Sequence, residues 1–255
     1  MSKLQKDELS RDAFLGGRLQ IRQPKAGYRA GIDPVLLAAA VPARPGQSVL
    51  ELGCGAGVAS LCLGRRVAGL DLTGLELQPD YAGLARRNAE ENDIAMTVVS
   101  GDLADMPAAL KARHFDHVIA NPPYFRPAGR AKARDSGRET ALAGATALGD
   151  WVAAAARRLH HKGQSSFIQR ADRLPELIAA MSAHLGSLKL QPFHPRRGRP
   201  ANLVIVTARK GGRAAMVLAP PVILHSGTAH RAEGDDYTAA VRAVLRDGAE
   251  LRGPA

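Results

Sequence analysis

VLELGCGAG, residues 49–57, is the stretch of sequence that decides the fold of this chain. The apolar run at 48–52 predicts a buried strand, and residues 58–67, after the glycines, predict a helix. Glycine allows the backbone to turn sharply and to approach a ligand closely. We therefore expect a strand, a glycine-rich turn and a helix whose free N–H groups face a carboxylate or a similar group.

Outward from this stretch, apolar strand-like runs alternate with helical segments. Predicted strands lie at 48–52, 72–77, 96–100, 115–120 and 165–169, and predicted helices at 58–67, 79–92, 151–160 and 174–185. This order predicts an α/β fold, with a parallel sheet and helices on both faces. Residues 188–193 and 203–208 follow one another without a helix, so we expect an antiparallel pair of strands at the sheet edge.

The domain organisation is predicted to be simple. Residues 1–13 are polar and charged, and we expect a flexible N-terminal arm there. Residues 14–255 are expected to form a single domain, with inserted loops at 126–149. Asp33 precedes Pro34, a pattern typical of a helix start, so Asp33 is expected to cap a helix.

Composition narrows the classes of function. Lys and Arg total 35 against 24 Asp and Glu, a formal net charge of +11 that indicates a polyanionic partner. Aromatic residues make up only 4%, which argues against an aromatic-lined platform for single strands. Cys54 and Cys62 lack the spacing of metal ligands, so we expect no metal, no disulfide and a reducing cytoplasm. No stretch predicts a membrane span or a signal peptide.

The glycines and two acids indicate a nucleoside cofactor. Position 58 is Val, so the glycines do not follow the G-x-G-x-x-G dinucleotide pattern. Glu76 ends the second predicted strand, where a carboxylate accepts hydrogen bonds from both ribose hydroxyls. Asp102 follows the third strand and is placed to accept from an adenine amine. The alternative is a tight turn with two surface acids.

The tetrapeptide Asn121-Pro122-Pro123-Tyr124 follows the strand at 115–120. The Asn121 side-chain oxygen and the Pro122 carbonyl are two acceptors that together grip the two hydrogens of a planar amino group. Tyr124 offers a ring for stacking. This set favours methyl transfer from a sulfonium to an exocyclic or amide nitrogen, because alignment rather than a strong base is required. The alternative is a Pro-Pro loop with a chance asparagine.

At this point the chain resembles a known class. The run 51–57 with Glu76, Asp102 and 121–124 resembles the S-adenosylmethionine-dependent, Rossmann-like amino-methyltransferases. Within that class, QPKAGYRAGIDPVLL at 23–37 and NPPYF at 121–125 resemble the bacterial tRNA1(Val) adenine-N6 methyltransferase family, whose members modify adenine 37 in the anticodon loop. The resemblance covers most of residues 14–210.

The resemblance implies a mostly parallel, seven-stranded Rossmann-like sheet ending in an antiparallel hairpin, and S-adenosylmethionine as cofactor. It also implies that residues 28–33 line the cofactor pocket from above. Without the resemblance, Asp33 equally suits a helix cap, and Tyr28 equally suits packing on Asp33. The predicted catalytic residues are Asn121, Pro122, Pro123 and Tyr124. The predicted cofactor-binding residues are Tyr28, Asp33, Glu51, Gly53, Gly55, Gly57, Glu76, Asp102 and Asn121.

Positive charge concentrates in two clusters that are placed to contact phosphates. The residues predicted to bind nucleic acid are Arg126, Arg130, Lys132, Arg134 and Arg138 in the first cluster, and Arg196, Arg197 and Arg199 in the second. RNA is favoured over duplex DNA because a loop base is already unstacked. The alternative is a solvated basic surface that keeps the protein in solution.

We therefore expect a tRNA adenine-N6 methyltransferase, and three other functions stay open. A protein glutamine N5-methyltransferase acting on release factors uses the same tetrapeptide, but that family carries an added N-terminal helical domain, whereas the first strand here is predicted at 48. An rRNA guanine-N2 methyltransferase is the second. The third is an RNA-binding or cofactor-sensing module without turnover, against which the complete tetrapeptide counts.

Overall fold

The computed structural model describes residues 6–124, 146–227 and 236–251. Its strands are β1 Leu9–Phe14, β2 Leu19–Pro24, β3 Ser48–Leu52, β4 Asp71–Glu76, β5 Met96–Ser100, β6 Phe115–Ala120, β7 Leu159–Arg170, β8 Gly186–His194, β9 Leu203–Arg209, β10 Val217–Leu218 and β11 Val222–Ile223. Its α-helices are α1 Asp33–Ala40, α2 Val58–Arg66, α3 Pro79–Glu91, α4 Ala108–Lys111, α5 Leu148–Arg158, α6 Leu174–Ser182 and α7 Ala239–Asp247. Short 3₁₀ turns lie at Lys6–Glu8, Leu15–Gly17 and Ala171–Arg173.

Within the described residues, the central sheet has nine strands, eight of them in the order β10-β8-β9-β7-β6-β3-β4-β5, with β11 pairing separately with β8. Strand β9 is antiparallel to both of its neighbours, and the pairs among β3, β4, β5, β6 and β7 are parallel. The predicted mostly parallel sheet with an antiparallel pair is confirmed. The seven predicted strands are β3 to β9, and two strands of two residues each extend the sheet.

This topology places the carboxyl ends of β3 to β8 at one edge of the sheet. Ligands of open α/β sheets bind at that edge. We call it the carboxyl edge. The glycine turn, both candidate acids and the tetrapeptide follow strands that end there.

Helices cover both faces of the sheet. Alternate residues of a strand point to opposite faces, so Val118 and Ile119 enter different hydrophobic clusters. The cluster around Ile119 contains residues from α1, α2, α7 and the N-terminal hairpin. The cluster around Val118 contains residues from α4, α5 and α6. The sheet is therefore buried on both sides, as its nearly continuous apolar strands predict.

The predicted flexible arm is wrong for residues 9–13. Leu9–Phe14 pairs antiparallel with Leu19–Pro24, and Leu9 joins the core. The outer edge of β2 is also bonded, because two of its backbone N–H groups donate to the side-chain oxygens of Asn88 on α3 and Asn92 just after it, at 2.8 and 2.9 Å. These contacts reach 66 and 72 residues along the chain, which a local reading of polar sequence does not predict.

Asp33 does not cap its helix. It is the first residue of α1, the N-cap position is Ile32, and no side chain caps this end. Pro34 is the second residue of the helix, as the sequence predicts. The Asp33 carboxylate instead accepts a hydrogen bond from the Tyr124 hydroxyl.

The cysteines are both buried and free. Within the described ranges, no helix combines the length and the apolar character that crossing a bilayer requires. In the same ranges, no group of three or more His, Cys, Asp or Glu side chains is arranged to hold a metal ion.

Candidate active site

The glycine-rich turn lies between the end of β3 and the start of α2. Gly53, Gly55 and Gly57 have φ of 62°, 55° and 84°, in the left-handed region that favours glycine. At Gly53 a Cβ would lie 2.5 Å from the ring of Trp151, so any side chain at this position would clash with that ring. The sequence therefore folds locally as predicted, and it brings bare backbone to the carboxyl edge.

Glu76 is bonded to the glycine turn. It ends β4, and its carboxylate accepts the N–H of Gly55 and the N–H of Gln78, each at 2.8 Å. The residue is only 7% exposed. Burial raises the pKa of this carboxyl, and the bonds from Gln78 and Gly55 oppose that rise. Glu76 is therefore fixed beside the turn, and its predicted contact with ribose hydroxyls stays a prediction.

Glu51 lies beneath the turn. It is 3% exposed, and its carboxylate accepts the N–H of Ser60 at 2.9 Å and the Ser60 hydroxyl at 2.5 Å. Burial raises its pKa to about 7. Ser60 is in the first turn of α2, so Glu51 binds the helix that the glycines open. A direct contact of Glu51 with a cofactor stays a prediction.

Asp102 lies two residues beyond β5 and is partly exposed. One of its carboxylate oxygens accepts the N–H of Ala104 at 2.8 Å, which orients the side chain. The parallel ladder pairs Glu76 with Ser100, so Glu76 and Asp102 follow the ends of neighbouring strands. The two predicted acids are thus brought to the same edge.

The tetrapeptide begins beside the glycine turn. Leu52 pairs with Ala120 in the ladder between β3 and β6, so Gly53 and Asn121 are the next residues of adjacent strands. Tyr28 lies close to both the tetrapeptide and the glycine turn. Its hydroxyl accepts a bond from the Asn121 side-chain nitrogen at 3.5 Å, and its ring lies 4.0 Å from the position of a Cβ on Gly55.

Two acceptors in the tetrapeptide are unused. Within the described residues, nothing donates a hydrogen bond to the side-chain oxygen of Asn121 or to the carbonyl of Pro122. Asn121 is partly exposed at the site, whereas Pro122 is buried. These two oxygens on consecutive residues thus have no donor among the described residues, and their grip on one amino group stays a prediction.

Tyr124 and Asp33 bind each other across 91 residues of sequence. The Tyr124 hydroxyl donates a hydrogen bond to the Asp33 carboxylate. Burial and the nearby Asp33 charge raise the pKa of Tyr124. Burial also raises the pKa of Asp33, and the bond from Tyr124 opposes that rise. Asp33 thus holds the end of the tetrapeptide, and the predicted stacking of Tyr124 on a base stays a prediction.

Sequence reasoning missed Arg173. This residue closes the 3₁₀ turn after β7, and its guanidinium donates to the carbonyl of Pro123 at 3.1 Å. The only available clue is its position, since Arg173 follows a strand that ends at the carboxyl edge. Nothing in a single sequence shows that it reaches Pro123, 50 residues away.

The support of Tyr28 was also missed. The segment 25–31 is bonded to the N-terminal hairpin through Gln23, which is 2% exposed and accepts the N–H of Ala30 at 2.7 Å. Gln23 also donates to Asp12 at 2.8 Å, and Asp12 forms an ion pair with Arg29 at 2.7 Å. The hairpin therefore fixes the segment that carries Tyr28 over the glycine turn.

Of the two predicted basic clusters, the structure describes only the second. Arg126, Arg130, Lys132, Arg134 and Arg138 lie outside the described residues. The second cluster lies in the loop between β8 and β9, at the carboxyl edge. There Arg196 is engaged within the protein, where it pairs with Asp236 and donates to the Ser226 carbonyl. Arg197 and Arg199 are exposed, so they are the cations that this loop presents to solvent.

Comparison with known proteins defines the class first. The family model described as "Methyltransferase small domain" matches residues 30–189, and the chain belongs to this class. A solved structure of a predicted O-methyltransferase from Agrobacterium tumefaciens superposes with a TM-score of 0.68 and 30% identity, covering 83% of this chain and 94% of that one. The Thermus thermophilus 16S rRNA N2 G1207 methyltransferase matches with a TM-score of 0.56 and 20% identity, covering 79% and 50%, and shows the fold alone.

The relatives then define the family. Proteins called tRNA1(Val) (adenine(37)-N6)-methyltransferase from Porphyromonas gingivalis and Actinobacillus succinogenes are each 30% identical, and the matches cover 83% and 84% of those proteins. The chain belongs to the tRNA1(Val) (adenine(37)-N6)-methyltransferase family. A Photorhabdus laumondii relative is 32% identical over 141 residues, so the chain spans 57% of that protein's length. The predicted fold class and family are confirmed.

Proposed function

We propose that this protein transfers a methyl group from S-adenosylmethionine to the exocyclic N6 of an adenine in the anticodon loop of a valine tRNA. The observation that carries this proposal is the position of the tetrapeptide. Asn121 and Gly53 follow adjacent strands, and the two unused acceptors of Asn121 and Pro122 lie at the same edge as the glycine turn.

The described residues fit S-adenosylmethionine. Glycine at 53, 55 and 57 leaves bare backbone where a Cβ at Gly53 would overlap the Trp151 ring, and Glu76 is fixed beside that turn. We infer that Glu76 holds the ribose hydroxyls and Asp102 the adenine amine of the cofactor. When bound, S-adenosylmethionine supplies a methyl group on a positively charged sulfonium, which is a good leaving group.

The tetrapeptide holds and activates the methyl acceptor. The Asn121 side-chain oxygen and the Pro122 carbonyl accept the two amino hydrogens, which favours localisation of the nitrogen lone pair. Because both prolines restrict the backbone, these oxygens are held in place before the base arrives. No strong base is needed, since the amino group becomes strongly acidic once it carries the methyl group and then releases its proton.

RNA is the partner that the charge favours. The formal net charge is +11, and Arg197 and Arg199 are exposed in a loop at the carboxyl edge. Such cations bind phosphates and position a nucleic acid without reading its sequence. An anticodon-loop base is already unstacked, which lowers the cost of moving it to the tetrapeptide. We propose that the enzyme acts on tRNA in the cytoplasm.

The test is methyl transfer to total bacterial tRNA with labelled S-adenosylmethionine, followed by mapping of the modified nucleotide. We expect N6-methyladenine at adenine 37 of valine tRNA, and a much slower reaction with Asn121→Ala. Parallel assays offer ribosomal RNA and a release factor, and labelled N2-methylguanine in the RNA or a methylated glutamine in the factor, with unlabelled tRNA, would overturn the proposal. RNA binding without transfer to any tRNA would favour the module without turnover.

A further inference from the structure

A buried arginine holds the middle of the tetrapeptide. Arg173 is 7% exposed, and one of its terminal nitrogens donates to the Pro123 carbonyl at 3.1 Å. The other side of the guanidinium forms a two-point contact with Glu176, with bonds of 3.2 Å from Nε and 2.8 and 3.0 Å from Nη2. A planar guanidinium bound in this way has a fixed orientation.

The bond to the Pro123 carbonyl restrains the Pro122 carbonyl, because the two residues are successive prolines. Proline fixes its own φ, and two prolines in succession leave little freedom between Asn121 and Tyr124. Fixing the Pro123 carbonyl fixes the plane of the following peptide, and through Pro123 it limits the rotation of the Pro122 carbonyl. The bond therefore acts on one of the two acceptors that the proposed function requires.

Among the described residues, two parts of the chain hold the tetrapeptide by side-chain hydrogen bonds. Tyr28 receives the Asn121 side chain, Arg173 binds Pro123 and Asp33 binds Tyr124. Tyr28 and Asp33 belong to the segment 28–33, whereas Arg173 belongs to the 3₁₀ turn after β7. Arg173 therefore supplies a contact that is independent of the segment 28–33.

The cost of burying a cation supports a specific role. A buried charge is costly unless it is paired, and Glu176 supplies the pairing here. Glu176 is itself 39% exposed in its side chain, whereas that of Arg173 is 9% exposed. Beyond this ion pair, the contact that the Arg173 guanidinium makes is the bond to the Pro123 carbonyl.

We propose that Arg173 is a positioning residue for methyl transfer, which holds the Pro123 peptide so that the Asn121 and Pro122 oxygens stay aligned with the amino group. This inference rests on the proposed function. Arg173 does not touch the reacting atoms. It is expected to affect the rate of the chemical step and not the affinity for the cofactor.

The experiment compares wild type, Arg173→Ala, Arg173→Lys and the control Arg87→Ala in tRNA methylation at saturating substrates. Arg87 lies on α3 in an exposed pair with Glu91 and is remote from the tetrapeptide. We expect kcat to fall about 100-fold in Arg173→Ala, because misplacement by about 1 Å costs that much. The Kd for S-adenosylmethionine, measured by calorimetry, should stay within about twofold.

Two further readouts separate positioning from general structural damage. Lysine keeps one donor for Pro123 but not the two-point contact with Glu176, so Arg173→Lys should recover about tenfold over Arg173→Ala. Millimolar guanidinium should partly restore kcat of Arg173→Ala, but not of Asn121→Ala. If Arg173→Ala does not fold, kcat and the Kd for S-adenosylmethionine are measured for Arg173→Lys and Glu176→Gln instead. Each of these variants should lower kcat without changing that Kd.

The outcomes are distinguishable from those of the proposed function. If wild type does not methylate tRNA, the proposed function fails. If wild type is active and kcat of Arg173→Ala stays within about twofold of that of Arg87→Ala, the inference about Arg173 is overturned. Where Arg173→Ala does not fold, the same criterion applies to Arg173→Lys. Equal loss of kcat and of cofactor affinity would also overturn it, since that result indicates a structural role.

Discussion

The glycine turn and the tetrapeptide lie side by side at the carboxyl edge, but they are held in different ways. The turn is bonded to Glu76, 21 residues from Gly55. The tetrapeptide is bonded to Arg173, Asp33 and Tyr28, which are 50, 91 and 93 residues from their partners. The cofactor side is therefore built within successive βα units, whereas the acceptor side depends on distant segments that the whole fold must bring together.

This difference predicts that the acceptor side governs the rate of transfer and the cofactor side governs affinity for the cofactor. Substitutions on the two sides should separate kcat from the Kd for S-adenosylmethionine. The predictions below test that separation.

The largest effect is expected at Asn121. Asn121→Ala removes one of two acceptors for the amino group, so kcat should fall by about 10²–10³-fold, as for loss of a preorganised hydrogen bond in other active sites. Asn121→Asp keeps an acceptor oxygen and should lose less. Steady-state methylation of tRNA measures both variants, and full activity of Asn121→Ala would contradict the proposed grip.

Glu76→Ala should mainly weaken cofactor binding. Losing the hydrogen bonds of a charged acceptor costs about 1.5–3 kcal/mol, or roughly 10- to 100-fold in Kd. Calorimetric titration with S-adenosylmethionine measures this change, with Asp105→Ala as a surface control. An unchanged Kd would assign the ribose contact to another residue.

The bounds of some elements could be predicted from the local sequence, whereas those of others depend on contacts with distant strands. Strands β3, β5 and β6 begin and end at the predicted residues, because their apolar runs are short and flanked by turns. Strand β7 was predicted at 165–169 but begins at Leu159, because Leu159 pairs with Phe115 of β6 ahead of a register shift. The predicted helix at 151–160 therefore ends at Arg158.

At the site, local rules were enough for some residues and not for others. Glu76 and Asp102 could be predicted because acids at the ends of consecutive parallel strands meet at one edge. The partner of Asp33 could not, since a helix-start pattern fits Asp33 equally well and its bond to Tyr124 requires the complete fold. Arg173 and Gln23 are ordinary polar residues in sequence, and only burial reveals them.

Glu51 offers a pH test of the cofactor side. Its pKa is about 7 in the native state against an ordinary value of 4.5, so between these values the native state binds the extra proton. Stability should therefore fall as pH rises through this window, by up to about 1.4 kcal/mol per pH unit. Urea unfolding at pH 5 and pH 8 should show this loss in wild type and a smaller loss in Glu51→Gln. Identical pH dependence of the two proteins would contradict the raised pKa.

The smallest effect is expected in the loop between β8 and β9. Arg197→Ala with Arg199→Ala should raise the KM for tRNA several-fold and lower the salt dependence of tRNA binding by about 0.7–0.9 per lost phosphate contact. Arg196→Ala is the matched comparison, because it breaks the ion pair with Asp236 and should lower thermal stability. Unchanged salt dependence in the double variant would leave these arginines as solvated surface residues.

The most direct test of the central claim is a crystal structure of the protein with S-adenosylhomocysteine and the anticodon stem-loop of valine tRNA. We predict that N6 of adenine 37 lies about 3 Å from both the Asn121 side-chain oxygen and the Pro122 carbonyl, within hydrogen-bond distance. An adenine amino group bound away from both oxygens, with the cofactor sulfur next to another nucleophile, would contradict it.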